Sequence, residues 1–150
     1  MANDSHAKLT QFLKDVTDAM GLSLEVSIDA SGDNLRIDLE GAGGEVLLRR
    51  KGEALDALQH IVNTGFKRDA GDQHLIVDCL GYRKGKEAEL KQMTQFLMEK
   101  ARATGEPQEI GPLNPFNRRL VHLAVAEQAD MASESVGDAF MKTVVISRKK

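Results

Sequence analysis

Val46-Leu47-Leu48-Arg49-Arg50-Lys51-Gly52-Glu53-Ala54-Leu55-Asp56-Ala57-Leu58-Gln59 is the stretch on which the fold turns. A short apolar step runs into three adjacent cations and a glycine, and the next residues begin a helical pattern. Ala54, Leu55, Leu58, Ile61, Val62 and Phe66 place apolar groups on one face of a helix from Glu53 to about Arg68. Asp69-Ala70-Gly71-Asp72 then supplies a turn. The basic loop is therefore expected between a short helix and a long one.

On the amino-terminal side, Leu9, Phe12, Leu13, Val16, Ala19 and Met20 keep helical spacing, which predicts a helix from about Ser5 to Met20, stopped by Gly21. Leu24 to Asp29 and Leu35 to Glu40 alternate apolar with polar residues around Ser31-Gly32-Asp33-Asn34, which describes a hairpin with one wet, mostly acidic face. Gly41-Ala42-Gly43-Gly44 lacks the spacing of a nucleotide loop and is expected to be a flexible entry to the core. His74 to Leu80 is almost continuously apolar, which predicts a third strand in a central position.

On the carboxy-terminal side, Leu90, Met93, Leu97 and Met98 predict a helix from Lys86 to Ala103. Asn114 is placed to cap another helix with Pro115 at its first position, continuing from Phe116 to Gln128. Ser133-Glu134-Ser135-Val136-Gly137-Asp138 has the composition of a turn, and Phe140 to Ser147 that of a final strand. The expected class is α+β in two domains, residues 1–83 and 84–150.

Net charge is −3, unevenly spread. Residues 1–40 carry three Lys/Arg against eight Asp/Glu, and residues 111–150 carry six against four. A basic carboxy-terminal part suits a nucleic-acid partner despite the negative total. No apolar stretch approaches the roughly 18 residues of a membrane span, and the amino terminus has no secretory pattern, so a cytoplasmic protein is expected. Cys79, the only cysteine, excludes an internal disulfide and sits in an apolar run that argues for a core thiol over a catalytic one. His6, His60 and His74 have no metal spacing, and Ser133 and Ser135 lack a nucleophile elbow, so no catalytic residue, metal or cofactor is expected.

Two clusters carry binding chemistry. Arg49, Arg50, Lys51 and Gly52 precede a helix amino terminus, where backbone amides attract phosphate. Arg118 and His122, with Arg119 beside them, are four residues apart and so share a helix face, expected to point outward with Phe116, Leu120, Leu123 and Ala124 on the opposite side. Arginine offers a planar fork to phosphate oxygens, and histidine a donor or a stacking ring.

Taken in order, Leu48 to Asn63, Asp78 to Arg83, Asn114 to His122, Ser133-Glu134-Ser135 with Gly137-Asp138, and Val144-Val145-Ile146 closely resemble the Jag family of bacterial RNA-binding proteins. The resemblance covers roughly Gly43 to Ser147. It implies a type II KH domain, with order helix, strand, strand, helix, helix, strand, joined to a small α/β Arg-xxx-His domain, written R-three-H. It also implies a non-catalytic protein that binds single-stranded RNA, with single-stranded DNA a further candidate, and that serves as an RNA chaperone or post-transcriptional regulator. The site residues it implies are Arg49, Arg50, Lys51, Gly52, Arg118, Arg119 and His122.

Three departures from the family stand out. Arg49 occupies the place of the first glycine in the KH Gly-x-x-Gly loop, where a side chain restricts the backbone and keeps phosphates at a distance. Asn117 stands where the family usually has an acidic residue. Many Jag proteins also carry a further small amino-terminal domain and a charged linker, which this chain is expected to lack. Tyr82 matches the family beside Arg83 and Lys84, and its ring is open to two roles, stacking on a base or packing between domains. The alternative to RNA binding is a protein-interaction adaptor whose altered loop no longer holds RNA and whose KH sheet docks a second copy or another small KH protein.

Overall fold

The computed structural model describes residues 2–150. The chain divides into two compact units, residues 1–84 and 85–150. Each has its own buried core, and together they form a mixed α+β protein with two three-stranded sheets.

The first unit runs α1 (Ala2–Ala19), β1 (Ser23–Asp29), β2 (Asn34–Ala42), a short 3-10 helix (Gly44–Leu48), α2 (Arg49–Ala70) and β3 (His74–Cys79), the expected order. Strand β1 pairs antiparallel with β2, and β2 pairs parallel with β3. Leu9 and Leu13 of α1 and Leu55, Leu58 and Val62 of α2 join Leu24, Leu35, Ile37, Leu39, Leu75 and Val77 of the sheet in one apolar cluster. Period-2 burial along β2 and helical spacing along α1 and α2 produce that layer directly. Phe12 and Phe66 meet with ring centroids 5.6 Å apart and tie the two helices together.

Strand β3 is not central. The strand order is β1-β2-β3, so the most apolar strand lies at an edge. Side chains satisfy that edge in place of a fourth strand: Gln59 of α2 donates to the Leu75 carbonyl and accepts from the Val77 amide, both at 2.7 Å, and Arg83 Nε donates to the Val77 carbonyl at 2.7 Å. A covered edge tolerates the continuous apolar run that otherwise marks an interior strand.

The glycine cluster is not a flexible entry either. Ala42 is still paired to Ser23 in the β1–β2 ladder, and a Cβ on Gly41 would lie 2.4 Å from the Ser23 carbonyl oxygen. A Cβ on Gly43 would meet Leu22 at 2.9 Å, at a φ of +90°. These glycines are required for close approach.

At the end of β3 the fully buried Asp78 carboxylate accepts from the amides of Cys79 (2.8 Å), Arg83 (2.7 Å) and Lys84 (3.2 Å) and lies 3.6 Å from Arg36 Nη2. It thereby caps the start of α3 (Tyr82–Thr104). Cys79 is buried as expected, and burial pushes its thiol up to about 11.

The second unit continues with β4 (Gln108–Leu113), α4 (Pro115–Ala126), β5 (Met131–Val136) and β6 (Lys142–Arg148), in an antiparallel sheet ordered β4-β6-β5. Asn114 caps α4 as expected, its side-chain oxygen accepting from the Asn117 amide at 2.8 Å, with Pro115 at the first position. Met98 and Ala101 of α3, Val121 and Val125 of α4, and Met131, Val144 and Ile146 of the sheet form the core. Arg102 binds Asp130 through two hydrogen bonds of 2.7 and 2.8 Å and Gln128 through one of 2.9 Å, fixing the loop between α4 and β5.

Two expectations fail in this unit. Strand β4 has no counterpart among the expected elements, because Gly111 and Pro112 interrupt it at a register shift between Ile110 and Leu113. Ser133 to Val136 is strand, not turn: the ladder to β6 runs from Met131 to Val136, and the chain turns only beyond Val136. The inward positions Ser133 and Ser135 are hydroxyls and the outward Val136 is apolar, so polarity does not alternate and the composition reads as turn.

Candidate nucleic-acid interface

The carboxy-terminal site is built where α4 crosses β5. One helical step of four residues rises about 6 Å, close to the roughly 6.8 Å of two residues along a strand. Val125 packs near Met131 in the core, and three residues back, nearly one helical turn, His122 meets Ser133 and Ser135. Four residues further back, Arg118 Nη2 donates to the Phe140 carbonyl at 3.2 Å, beyond the end of β5. The spacing predicted that Arg118 and His122 share a face, and they do.

That face is not the wet one. Val121, Ala124 and Val125 are buried, Arg118 and His122 are half-buried, and Leu123, expected in the core, is 54% exposed. The apolar stripe of α4 is rotated by about one residue because Val121 and Val125, not Phe116 and Leu123, meet the core. Arg118 and His122 thus sit at the border between core and solvent, and Arg119 is exposed.

His122 is fixed at both ring nitrogens. Nδ1 is 2.7 Å from Ser133 Oγ and Nε2 is 2.8 Å from Ser135 Oγ. A serine hydroxyl can donate or accept, so the pair satisfies the ring in either tautomer. The ring edge is thereby occupied, and what His122 presents is an oriented aromatic face. Ser133 and Ser135, which hold the ring, have the composition of turn residues in the sequence, and only the structure brings them to His122.

Arg118 has the opposite character. Its Nε is buried without a hydrogen-bond partner, and among the described residues neither Arg118 nor Arg119 has a carboxylate within ion-pair distance. A partly desolvated, unneutralised guanidinium is costly unless an anion completes it. It opens on a shallow pocket of about 500 Å3, lined by Pro115, Arg118, Arg119, His122, Leu123 and Ser135.

The amino-terminal cluster forms a different kind of site. Arg50, Lys51 and Gly52 all adopt left-handed angles (φ 53°, 58° and 78°), a three-residue turn ahead of the regular part of α2. Arg49, expected to be restricted by its side chain, has ordinary extended angles of −61° and 150°. The strain falls on Arg50 and Lys51, where a Cβ in the left-handed region costs about 1 kcal/mol or more. Gly52 is buried, and a Cβ there would lie 3.2 Å from the Tyr82 ring, so Tyr82 packs against the loop within this unit. Arg50 faces Glu53 at 3.7 Å, whereas Arg49 and Lys51 are exposed cations with no carboxylate partner among the described residues. The turn thus leaves three exposed cations just ahead of the regular part of α2, where a helix amino terminus favours anions.

Comparison with known proteins agrees with the geometry. Residues 88–148 match the model of the R-three-H domain family. This segment is an R-three-H domain. It contains α4, β5 and β6, and therefore Arg118, His122 and both serines of the clamp. Over nearly its whole length the chain is similar to proteins named RNA-binding protein KhpB. The identity is 25% with that of Clostridium symbiosum, over 95% of this chain and 66% of the relative. It is 22% with that of Lactiplantibacillus plantarum, over 99% of this chain and 47% of the relative, and 22% with that of Bacillus subtilis, over 93% and 68%. The chain spans about half to two thirds of the length of these relatives. The R-three-H domain and these relatives bear out the resemblance to the Jag family. No helix among the described residues is long and apolar enough to cross a membrane, and no cluster of three His, Cys, Asp or Glu side chains there is arranged to hold a metal.

Proposed function

We propose that the chain binds single-stranded RNA without cleaving it, chiefly through the R-three-H domain. The observation that carries this is Arg118: a half-buried guanidinium with no neutralising carboxylate among the described residues, anchored to the Phe140 carbonyl and opening on the same pocket as the clamped His122 ring. Arg118 and Arg119 take the phosphates, and the His122 face lies against a sugar or base. The RNA-binding names of the relatives support the choice of RNA over DNA.

The amino-terminal unit, read as a type II KH domain covering residues 1–83, supplies the second contact through Arg49, Arg50, Lys51 and the amides around Gly52. Two weak sites on one chain strengthen each other through effective concentration. Such a protein acts on RNA structure or access, as a chaperone or post-transcriptional regulator does.

Binding without catalysis fits the groups present. The 2.7 Å contact between His122 and Ser133 has the length of a base–nucleophile pair, but the other ring nitrogen faces Ser135 instead of a carboxylate that would stabilise the imidazolium. The Cys79 thiol is buried and its pKa is raised, which disarms it.

A second reading, a protein adaptor, draws support from the outer face of the β1–β2 sheet. There Glu25 pairs with Glu40 and Asp38 with Ser27 across the strands, a surface that repels RNA and suits a basic protein, a second copy or another small KH protein. The test is titration of the chain against single-stranded and duplex RNA of equal length at low salt, with the size of the complex measured before and after nuclease treatment. Preference for the single strand and loss of the complex on nuclease treatment support the proposal. No RNA binding, or a complex that survives nuclease, supports the adaptor.

A further inference from the structure

Phe140 is the most exposed large apolar side chain among the described residues, at 71%. It lies in the turn between β5 and β6, with Val136 and Met141, also largely exposed, on either side. An open phenyl ring is not rare in a loose loop, but this turn is anchored: the Phe140 carbonyl accepts from Arg118 Nη2 at 3.2 Å, and Val136 and Thr143 close the ladder just behind it. The fold therefore places an exposed aromatic ring on the residue whose carbonyl binds the guanidinium that lacks a carboxylate partner.

We propose that Phe140 is a stacking platform for an unpaired base of the strand whose phosphates Arg118 and Arg119 hold. The inference rests on the reading of the R-three-H domain as a single-strand binder and adds a residue that contacts bases to those that contact phosphate. A nucleic-acid strand alternates anion and flat ring, and the site offers a cation and a flat ring in the same order. Stacking also explains a preference for single strands, because a paired base has no free face. A protein partner fits less well: three apolar side chains, Val136, Phe140 and Met141, supply far less than the roughly 800 Å2 per partner of a stable interface, and the Phe140 carbonyl is bound by a guanidinium that lacks a carboxylate partner.

The experiment is fluorescence anisotropy of the full chain with a short oligouridine and with an abasic ribose-phosphate strand of the same length. Natural protein, Phe140→Ala and Phe140→Tyr are compared over a salt series, with thermal unfolding and mass at several concentrations recorded for each. Phe140→Ala is expected to weaken oligouridine binding roughly tenfold, in line with loss of one stacked base, with the salt slope unchanged. Phe140→Tyr retains affinity, and the abasic strand does not distinguish the three proteins. Equal affinity of Phe140→Ala and natural protein for oligouridine, or an equal loss on the abasic strand, overturns the stacking role and leaves the phosphate-binding reading standing. A loss of self-association in Phe140→Ala with RNA affinity intact assigns the ring to a protein contact and overturns it as well. If the natural chain binds neither strand at low salt, the single-strand reading falls and takes this inference with it.

Discussion

His122 Nδ1 lies 2.7 Å from Ser133 Oγ, a contact from helix α4 to strand β5 that, with the matching bond from Ser135, sets the plane of the imidazole before any ligand arrives. Replacing Ser133 with Ala is expected to lower RNA affinity several-fold without touching a charge, because the ring gains freedom that binding must then remove. Loss of one hydrogen bond, about 1 kcal/mol, lowers Tm by roughly 4–8 °C in a unit of this size. Thermal unfolding and RNA titration of Ser133→Ala, Ser135→Ala and the double variant check this. The salt slope is expected to stay that of the natural chain.

Strain in the basic turn gives stability and binding opposite signs. Arg50→Gly and Lys51→Gly each relieve a left-handed Cβ, and each is expected to raise stability by about 0.5 kcal/mol after allowing for the greater freedom of glycine in the unfolded chain. Lys51→Gly also removes an exposed cation and is expected to weaken RNA binding. Urea unfolding midpoints alongside affinities would show the two moving in opposite directions; Lys51→Ala, which keeps the strain, should lose affinity with no gain in stability.

At the β3–α3 junction, Asp78 is fully buried and accepts from three amides while facing Arg36. Asp78→Ala is expected to cost about 3–5 kcal/mol, enough to unfold a marginal unit, because it orphans the amides and leaves the Arg36 charge behind. Asp78→Asn keeps the shape and one acceptor and is expected to cost less. Denaturant unfolding that distinguishes the two units would register the loss in residues 1–84.

The Arg102 guanidinium, bound to Asp130 through two hydrogen bonds, holds the Asp130 carboxyl below its ordinary value of 3.8. A depressed carboxyl contributes stability that is fully present above the unfolded pKa and is lost as pH falls through the folded one. The R-three-H domain is therefore expected to keep this contribution at neutral pH and to weaken below about pH 4. Asp130→Asn should flatten that acid limb in a pH series of thermal unfolding.

Legibility in the sequence followed the length and period of each element. Helix α1, the β1–β2 hairpin, α2 and the Asn114 cap announce themselves because periodic burial and cap chemistry are local. The edge position of β3 did not, since it depends on Gln59 and Arg83 reaching its free edge from elsewhere in the chain. Arg118 and His122 were recognisable as a pair, but their half-buried setting was not, because Val121 and Val125 decide the phase of α4 only once the sheet is in place. Ser133 and Ser135 were hidden for the same reason: a hydroxyl looks like turn chemistry until a histidine stands opposite it.

RNA binding as proposed depends on Arg118 meeting a phosphate. The most direct measurement is the salt dependence of affinity for a short single-stranded RNA, natural chain against Arg118→Ala. Loss of one phosphate contact is expected to lower affinity whatever the base sequence and to make the log–log slope shallower by about 0.7. Weaker binding with an unchanged slope, or no change at all, would contradict it.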